Sequence, residues 1–145
     1  MSETSPPSDS DRLQDQIERI RANADMLIES LNPLVDFEFG YDEPSLDYLD
    51  RYLDGQYERG KASGSGPPDI TAVVGSYVGE AIIAIHGGEW VQAEGIGLAV
   101  DSDGLKASPF NKVAKLLANG LVGGDSVASF VRVIPAIKAR SNESG

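Results

Sequence analysis

The sequence predicts an α+β fold in which about five helices pack with a small antiparallel β-sheet of roughly three or four strands. Three observations lead to this prediction. Several long segments repeat apolar residues at helical spacing, short β-prone runs flank a glycine-containing turn, and the most apolar segment lies mid-chain, where it is expected to be the central helix under the sheet. With 145 residues and 41% apolar content, the chain can form one core. We expect a single domain over residues 11–137, with disordered segments at 1–10 and 138–145.

The first helix is predicted from about Asp11 to Leu31. Its apolar residues recur in alternating steps of three and four, which places them on one helical face. Ser8 or Ser10 can cap its start, and Asn32-Pro33 ends it because a proline disfavours helix in the preceding residue. We expect this helix to dock on its own domain.

Residues 34–41 alternate apolar and polar side chains, which is typical of a half-buried strand or an extended segment. From Asp42 the pattern becomes helical, with Pro44 in the first turn and an end near Gly60. Residues 61–68 are rich in Gly, Ser and Pro, and they predict a flexible connector.

The central helix is predicted from Asp69, which can cap it, to the glycine pair at 87–88. Gly75 and Gly79 lie one turn apart, and each glycine costs about 1 kcal/mol relative to alanine inside a helix. We therefore expect something to approach this face closely. A helix or strand of the same fold is favoured over a ligand.

The last third of the chain predicts a small sheet followed by two helices. Residues 90–91 and 98–100 predict strands, and the turn DSDG at 101–104 leads into a third strand at 105–107. One helix should run from Pro109 to Asn119. Another should start at Asp125 or Ser126 and end or kink at Pro135, and a polar tail follows from Lys138.

The formal net charge of −11 is concentrated in the first part of the chain. Residues 1–60 hold 15 carboxylates and 5 arginines, whereas residues 61–145 hold 8 carboxylates and 7 basic side chains. Nucleic-acid binding draws its affinity from cationic side chains, so this charge argues against a DNA or RNA ligand. A basic protein remains a candidate partner. The simpler interpretation, which the charge by itself favours, is that the acidity only keeps the protein soluble and monomeric.

The sequence predicts a cytoplasmic protein that does not enter a membrane. It contains no cysteine, its first residues lack the charged and apolar regions of a secretory signal, and its longest aliphatic run, 81–85, is far too short to span a bilayer.

One short segment, 77–90, brings together ionisable and aromatic residues that could form a site: Glu80, His86, Glu89 and Trp90. A buried Glu80 would have a raised pKa and could serve as a general acid or base. The helical phase favours a surface-facing or hydrogen-bonded structural carboxylate instead. His86 more simply contacts unsatisfied carbonyls at the helix end. With one histidine and no cysteine, no metal site, cofactor or catalytic set is predicted.

Three short motifs resemble a family of small, uncharacterised bacterial proteins. They are a YxGE helix at 77–80, a GGxW turn at 87–90 and a PFxKV helix at 109–113, and the resemblance extends over roughly residues 36–131. It implies a shared fold, and it supplies no catalytic residues.

Two hypotheses for function follow. In the first, the chain is a non-enzymatic module, such as an inhibitor or immunity-type protein, that binds a basic partner through an acidic surface. In the second, it is a small enzyme or ligand-binding domain that uses Glu80 and the turn from His86 to Trp90. The carboxylates assigned to the acidic surface are Asp36, Glu38, Asp42, Glu43, Asp47, Asp50 and Asp54.

Overall fold

The computed structural model describes residues 8–65 and 70–143, with side chains through Ala139. This part of the chain forms six α-helices and a three-stranded antiparallel sheet, so the predicted α+β class is confirmed. The helices are α1 (Asp9–Leu31), α2 (Glu43–Ser63), α3 (Thr71–His86), α4 (Pro109–Asn119), α5 (Val127–Arg132) and α6 (Ile134–Glu143), and the strands are β1 (Glu89–Ala93), β2 (Gly97–Ser102) and β3 (Leu105–Ala107).

The helix α1 begins with a capping box. Ser8 accepts a hydrogen bond from the Asp11 amide, and the Asp11 carboxylate accepts one from the Ser8 amide. The helix therefore includes Asp9 and Ser10, which were predicted to belong to a disordered start. Its apolar stripe faces α3, and Ala24 is completely buried there.

Residues 35–41 form no strand, contrary to one form of the prediction: the backbone bends at 35–37 and again at 40–41, and the segment lies outside the sheet. Val35, Phe37, Phe39 and Tyr41 nevertheless pack against the core, whereas Asp36 and Glu38 between them are exposed. The backbone bonds to side chains rather than to a neighbouring strand. The amide of Phe39 donates to Asn32, and the amide of Gly40 donates to Ser45.

The helix α2 is capped by Asp42, whose carboxylate accepts a hydrogen bond from the Ser45 amide. It ends at Gly64, which has a left-handed φ of 73°. The helix thus continues past Gly60, where its end was predicted, and residues 61–63 are helical rather than part of a connector. The rest of that connector from residue 66, and the proposed cap Asp69, lie outside the described residues.

The helix α3 is the centre of the core. Val74, Tyr77, Val78, Ala81 and Ile82 are fully buried, and α1 and α4 both pack against it. Apolar burial of this extent is the main favourable contribution to folding.

The strand order in the sheet is β1-β2-β3. Trp90 pairs with Val100, and Val100 pairs with Ala107. Asp103 and Gly104 form the turn between β2 and β3 with φ values of 53° and 91°, the left-handed conformation that tight hairpins require.

The last predicted helix is divided into α5 and α6 at Val133. Pro135 lies in the first turn of α6, where its missing N–H does no harm. The helix α6 also includes residues 138–143, which were predicted to be an unstructured tail. Ile134 is 1% exposed, and the Lys138 ammonium contacts Asp103 at 3.1 Å, so this end of the chain is attached to the domain.

In the part of the chain that the structure describes, no helix is both long enough and apolar enough to cross a membrane.

Candidate functional site

Glu80 is held by residues from two other elements. Its Oε2 accepts a hydrogen bond of 3.0 Å from Trp90 Nε1, and its Oε1 lies 3.6 Å from Arg21 Nε. The carboxylate side chain is only 16% exposed. It is therefore the hydrogen-bonded carboxylate that the helical phase favoured, placed between β1 and α1.

The glycine face of α3 is occupied by two aromatic rings of the same domain. A Cβ atom built on Gly79 would overlap the indole of Trp90, and one built on Gly75 would overlap the ring of Phe110. The two rings lie 5.7 Å apart, centroid to centroid. The close approach predicted from the glycines is real, and it comes from side chains of β1 and α4.

A cluster of tyrosines lies beside Glu80. Tyr77 donates a hydrogen bond to the Gly40 carbonyl, and its ring stacks on Tyr41 at a centroid distance of 5.2 Å. Burial, followed by the charges of Glu80 and Asp25, raises the pKa of Tyr41 to about 12. Burial also raises the pKa of Tyr77, with a smaller contribution from Asp42. Both hydroxyls therefore stay protonated at neutral pH and act only as neutral donors and acceptors.

His86 contacts a different element from Glu80. Its Nε2 lies 2.7 Å from the carbonyl oxygen of Val131 in α5. A carbonyl only accepts, so Nε2 carries the hydrogen. In a continuous helix this carbonyl would accept from residue 135, but Pro135 has no N–H. His86 therefore donates to a carbonyl of α5 for which Pro135 offers no N–H, rather than to one in its own helix.

Glu89 begins β1 on an exposed position opposite Asp101. No hydrogen bond or ion pair joins its described side chain to His86. Of the four residues proposed as a site, the structure brings together Glu80 and Trp90, and it places His86 and Glu89 in separate surroundings.

Asp50, one of the seven carboxylates assigned to the acidic surface, is buried. It is 7% exposed, and its oxygens accept hydrogen bonds from the hydroxyl of Ser126 and the amides of Val127 and Ala128, at 2.6, 2.7 and 3.3 Å. These donors form the start of α5, whose amides a negative charge stabilises. Asp50 therefore joins α2 to α5 and does not belong to an exposed surface.

Asp54 also has a structural contact. Its Oδ1 accepts a hydrogen bond of 2.9 Å from the amide of Leu121, just after α4, and its side chain is partly buried. Together Asp50 and Asp54 join one side of α2 to the C-terminal half of the chain.

The other five carboxylates are exposed. We call them the exposed acidic segment: Asp36, Glu38, Asp42, Glu43 and Asp47. Among the described residues, Arg132 is the basic side chain within ion-pair distance of any of them, at 2.9 Å from Glu43 and 3.7 Å from Asp47. The hydrogen bond that Arg132 Nε donates to the Glu43 carboxylate raises the pKa of Arg132 above its usual value. Its side chain is 52% exposed, so this network is a solvated one.

A metal site finds no support in the described residues. They contain no group of three or more His, Cys, Asp or Glu side chains placed to hold an ion.

Sequence reasoning missed Arg21 and Tyr41 as neighbours of Glu80. They are 59 and 39 residues away in sequence, and neither has a local signal that connects it to α3. The alternation at 34–41 did indicate that Tyr41 faces inward. The hydrogen bonds of Asp50 had no such signal, because a carboxylate on a helix looks the same in sequence whether it faces solvent or another helix.

The chain was also compared with known proteins. No protein-family model matches it, and neither does any curated protein or solved structure. The resemblance based on the YxGE, GGxW and PFxKV motifs therefore stays a prediction.

Proposed function

We propose that this protein is a non-enzymatic interaction module that binds a basic partner protein through the exposed acidic segment. The observation that carries the proposal is the exposure of five carboxylates between Asp36 and Asp47, with Arg132 as their one basic neighbour among the described residues. An inhibitor or immunity-type protein is a concrete form of such a module. We also propose that the protein is bacterial and cytoplasmic, and this part of the proposal is based on the sequence alone.

Electrostatics supports this assignment. Fixed negative charge on a protein surface speeds encounter with a positive partner and orients it, while the apolar core keeps the segment in place. Phe39 is 3% exposed and lies between Glu38 and Asp42 in sequence, so the segment is attached to the core in its middle. A partner's lysine or arginine side chains would compete with Arg132, whose exposed ion pairs are weak and easily replaced.

The second hypothesis is a small enzyme or ligand-binding domain at Glu80. One of its required contacts is present, the hydrogen bond between Glu80 and Trp90. The hypothesis also needs His86 and Glu89 to converge on Glu80, yet His86 contacts Val131 and Glu89 is exposed. Because the oxygens of Glu80 already contact Trp90 and Arg21, we favour the interaction module.

The experiment is a pull-down from lysate of the native host, washed at about 50 mM and at about 500 mM salt, where the screening length falls from roughly 14 to roughly 4 Å. The baits are the wild-type protein, a triple variant with Asp36→Asn, Glu38→Gln and Asp47→Asn, and a matched control with Glu18→Gln, Glu58→Gln and Glu94→Gln. All six substituted side chains are exposed, and both variants lose three negative charges.

We expect a basic protein on the wild-type and control baits at low salt, its loss at high salt, and its absence from the triple variant. A partner that the triple variant retains as well as the wild type would contradict the proposal. So would a partner that binds with no sensitivity to salt.

A further inference from the structure

A cavity of about 320 Å³ lies where β3, α4, α5 and α6 meet. Its volume is at the lower end of the range for small-molecule sites. Phe130 and the exposed Ile137 supply an apolar wall, to which the buried Ile134 adds little surface, and Lys106, Lys112 and Lys115 supply positive charge. This site is separate from both Glu80 and the exposed acidic segment.

The charge of this cavity is opposite to that of the molecule. The chain has a net charge of −11 and five lysines, yet three of those lysines line the cavity and no carboxylate does so. Lys112 is partly neutralised by Asp125 at 3.1 Å, and its ammonium lies 5.5 Å from the ring centroid of Phe130. Lys106 and Lys115 are exposed and form no ion pair with any described residue.

Polar groups of α4 lie next to these lysines. Ser108 and Asn111 line the cavity, and Ser108 makes no side-chain hydrogen bond to cap the helix. The hydroxyl and amide groups of these two residues can therefore donate hydrogen bonds to a bound molecule. They add directional donors to a site whose charge and shape come from the other residues.

The ligand that matches this lining has a negatively charged group and an apolar body. The field of an acidic protein repels anions at long range, so charge alone gives a bare inorganic anion little gain in this position. An apolar body adds a short-range gain in binding free energy of about 25 cal/mol per Å² of surface that it buries against Phe130 and Ile137. Binding of such a ligand thus needs both the apolar wall and the lysines.

We propose that this cavity binds a small amphipathic anion, with a carboxylate beside Lys106 and Lys115 and a hydrocarbon body against Phe130 and Ile137. The proposal goes beyond the interaction module and does not depend on it.

The test is a titration of the full chain with octanoate, monitored by calorimetry and by the methyl NMR signals of Ile134 and Ile137. Octanol is the neutral probe of the same length, and inorganic phosphate is the anion without an apolar body. We expect octanoate to bind at least about fivefold more tightly than either probe and to shift both methyl signals, because exposed charge contacts contribute factors of about 1.5 to 5 each.

The double variant Lys106→Gln, Lys115→Gln should weaken octanoate binding about fivefold and leave octanol unaffected. Its matched control is Arg51→Gln, Arg59→Gln, which removes the same charge from exposed positions on α2. Circular dichroism would verify the fold of both. The proposal is overturned if octanoate does not bind at millimolar concentration, if octanol or phosphate binds as tightly, or if both variants weaken binding equally.

Discussion

The helices α2 and α3 each carry residues whose roles depend entirely on what lies opposite them. On α2, Asp47 is 57% exposed beside Arg132, whereas Asp50, one turn further along, is buried at the start of α5. On α3, Gly79 accommodates the indole of Trp90, whereas a Cβ atom added to Gly55 of α2 would meet no atom within 4 Å. An aspartate or a glycine thus packs closely against another element of the fold at one position, whereas the same residue type has no such close packing at another.

This difference affects how the charge of the molecule should be counted. The exposed acidic segment is part of the surface, whereas Asp50 and Asp54 are hydrogen-bonded to the amides of other elements. The first set faces solvent, where it is accessible to a partner, although Asp42 also caps α2; the second set stabilises the fold by joining α2 to other elements. Substitutions in the two sets should therefore change different measurements.

Replacing Asp50 should have the largest effect. Asp50→Ala removes three hydrogen bonds and leaves the buried amides of Val127 and Ala128 without acceptors, so we expect the free energy of unfolding to fall by about 3 kcal/mol. Asp50→Asn keeps one acceptor oxygen and should cost less. Chemical denaturation measures both.

Asp47→Ala is the control for this effect. The side chain is exposed, and exposed ion pairs contribute little, so the free energy of unfolding should hardly change. Equal losses for the Asp47 and Asp50 variants would show that the division between surface and structural carboxylates is wrong.

Glycine-to-alanine substitutions test the same contrast on the two helices. In Gly79→Ala, the new methyl group overlaps the Trp90 ring, which the hydrogen bond to Glu80 holds in place, so we expect a loss of about 2 kcal/mol. In Gly55→Ala, the methyl group meets no atom within 4 Å, and the helix should gain about 0.5 to 1 kcal/mol. Thermal unfolding shows whether each substitution stabilises or destabilises the protein. If Gly79→Ala were stabilising, Trp90 could not be packed against Gly79 as described.

Alkaline pH should produce a smaller effect through Tyr41 and through Tyr77 of α3. The pKa of Tyr41 is about 12 in the folded protein, against about 10 for an unfolded tyrosine. The unfolded state therefore loses its proton first, and the free energy of unfolding falls as the pH rises from about 10 to about 12. Tyr77 acts in the same direction.

The Tyr41→Phe variant should show a shallower decline over this pH range than the wild type. Denaturation at several pH values, with the tyrosinate absorbance recorded in parallel, measures it. Identical pH profiles for the two proteins would mean that Tyr41 titrates normally.

Local patterns predicted much of the fold. The stripe and caps of α1, the glycine-containing turn between β2 and β3 and the span of α4 follow from nearby residues alone, and all are present. The end of α2 was misplaced because Gly60 is tolerated inside the helix, and the left-handed Gly64 ends it. The helical residues from Lys138 were missed because their polar sequence does not reveal the contact with Asp103.

The candidate site was less predictable, because its contacts are long-range. The glycines of α3 did indicate a close neighbour, since a costly residue inside a helix needs a reason. Nothing in sequence connected Asp50 to α5 or His86 to Val131, which are 77 and 45 residues apart from their partners. Such contacts depend on how the helices pack against one another. Hydrophobic periodicity predicts which face of a helix is buried, but it does not predict which element covers that face.

The most direct test of the exposed acidic segment as a binding surface measures the affinity of a recovered basic partner for three proteins at low and high salt. They are the wild type, the variant with Asp36→Asn, Glu38→Gln and Asp47→Asn, and the control with Glu18→Gln, Glu58→Gln and Glu94→Gln. We predict that the first variant binds about tenfold more weakly at low salt, that the control stays within about twofold, and that the difference shrinks at high salt. Equal affinities for the two variants at low salt would contradict the assignment of the exposed acidic segment as the binding surface.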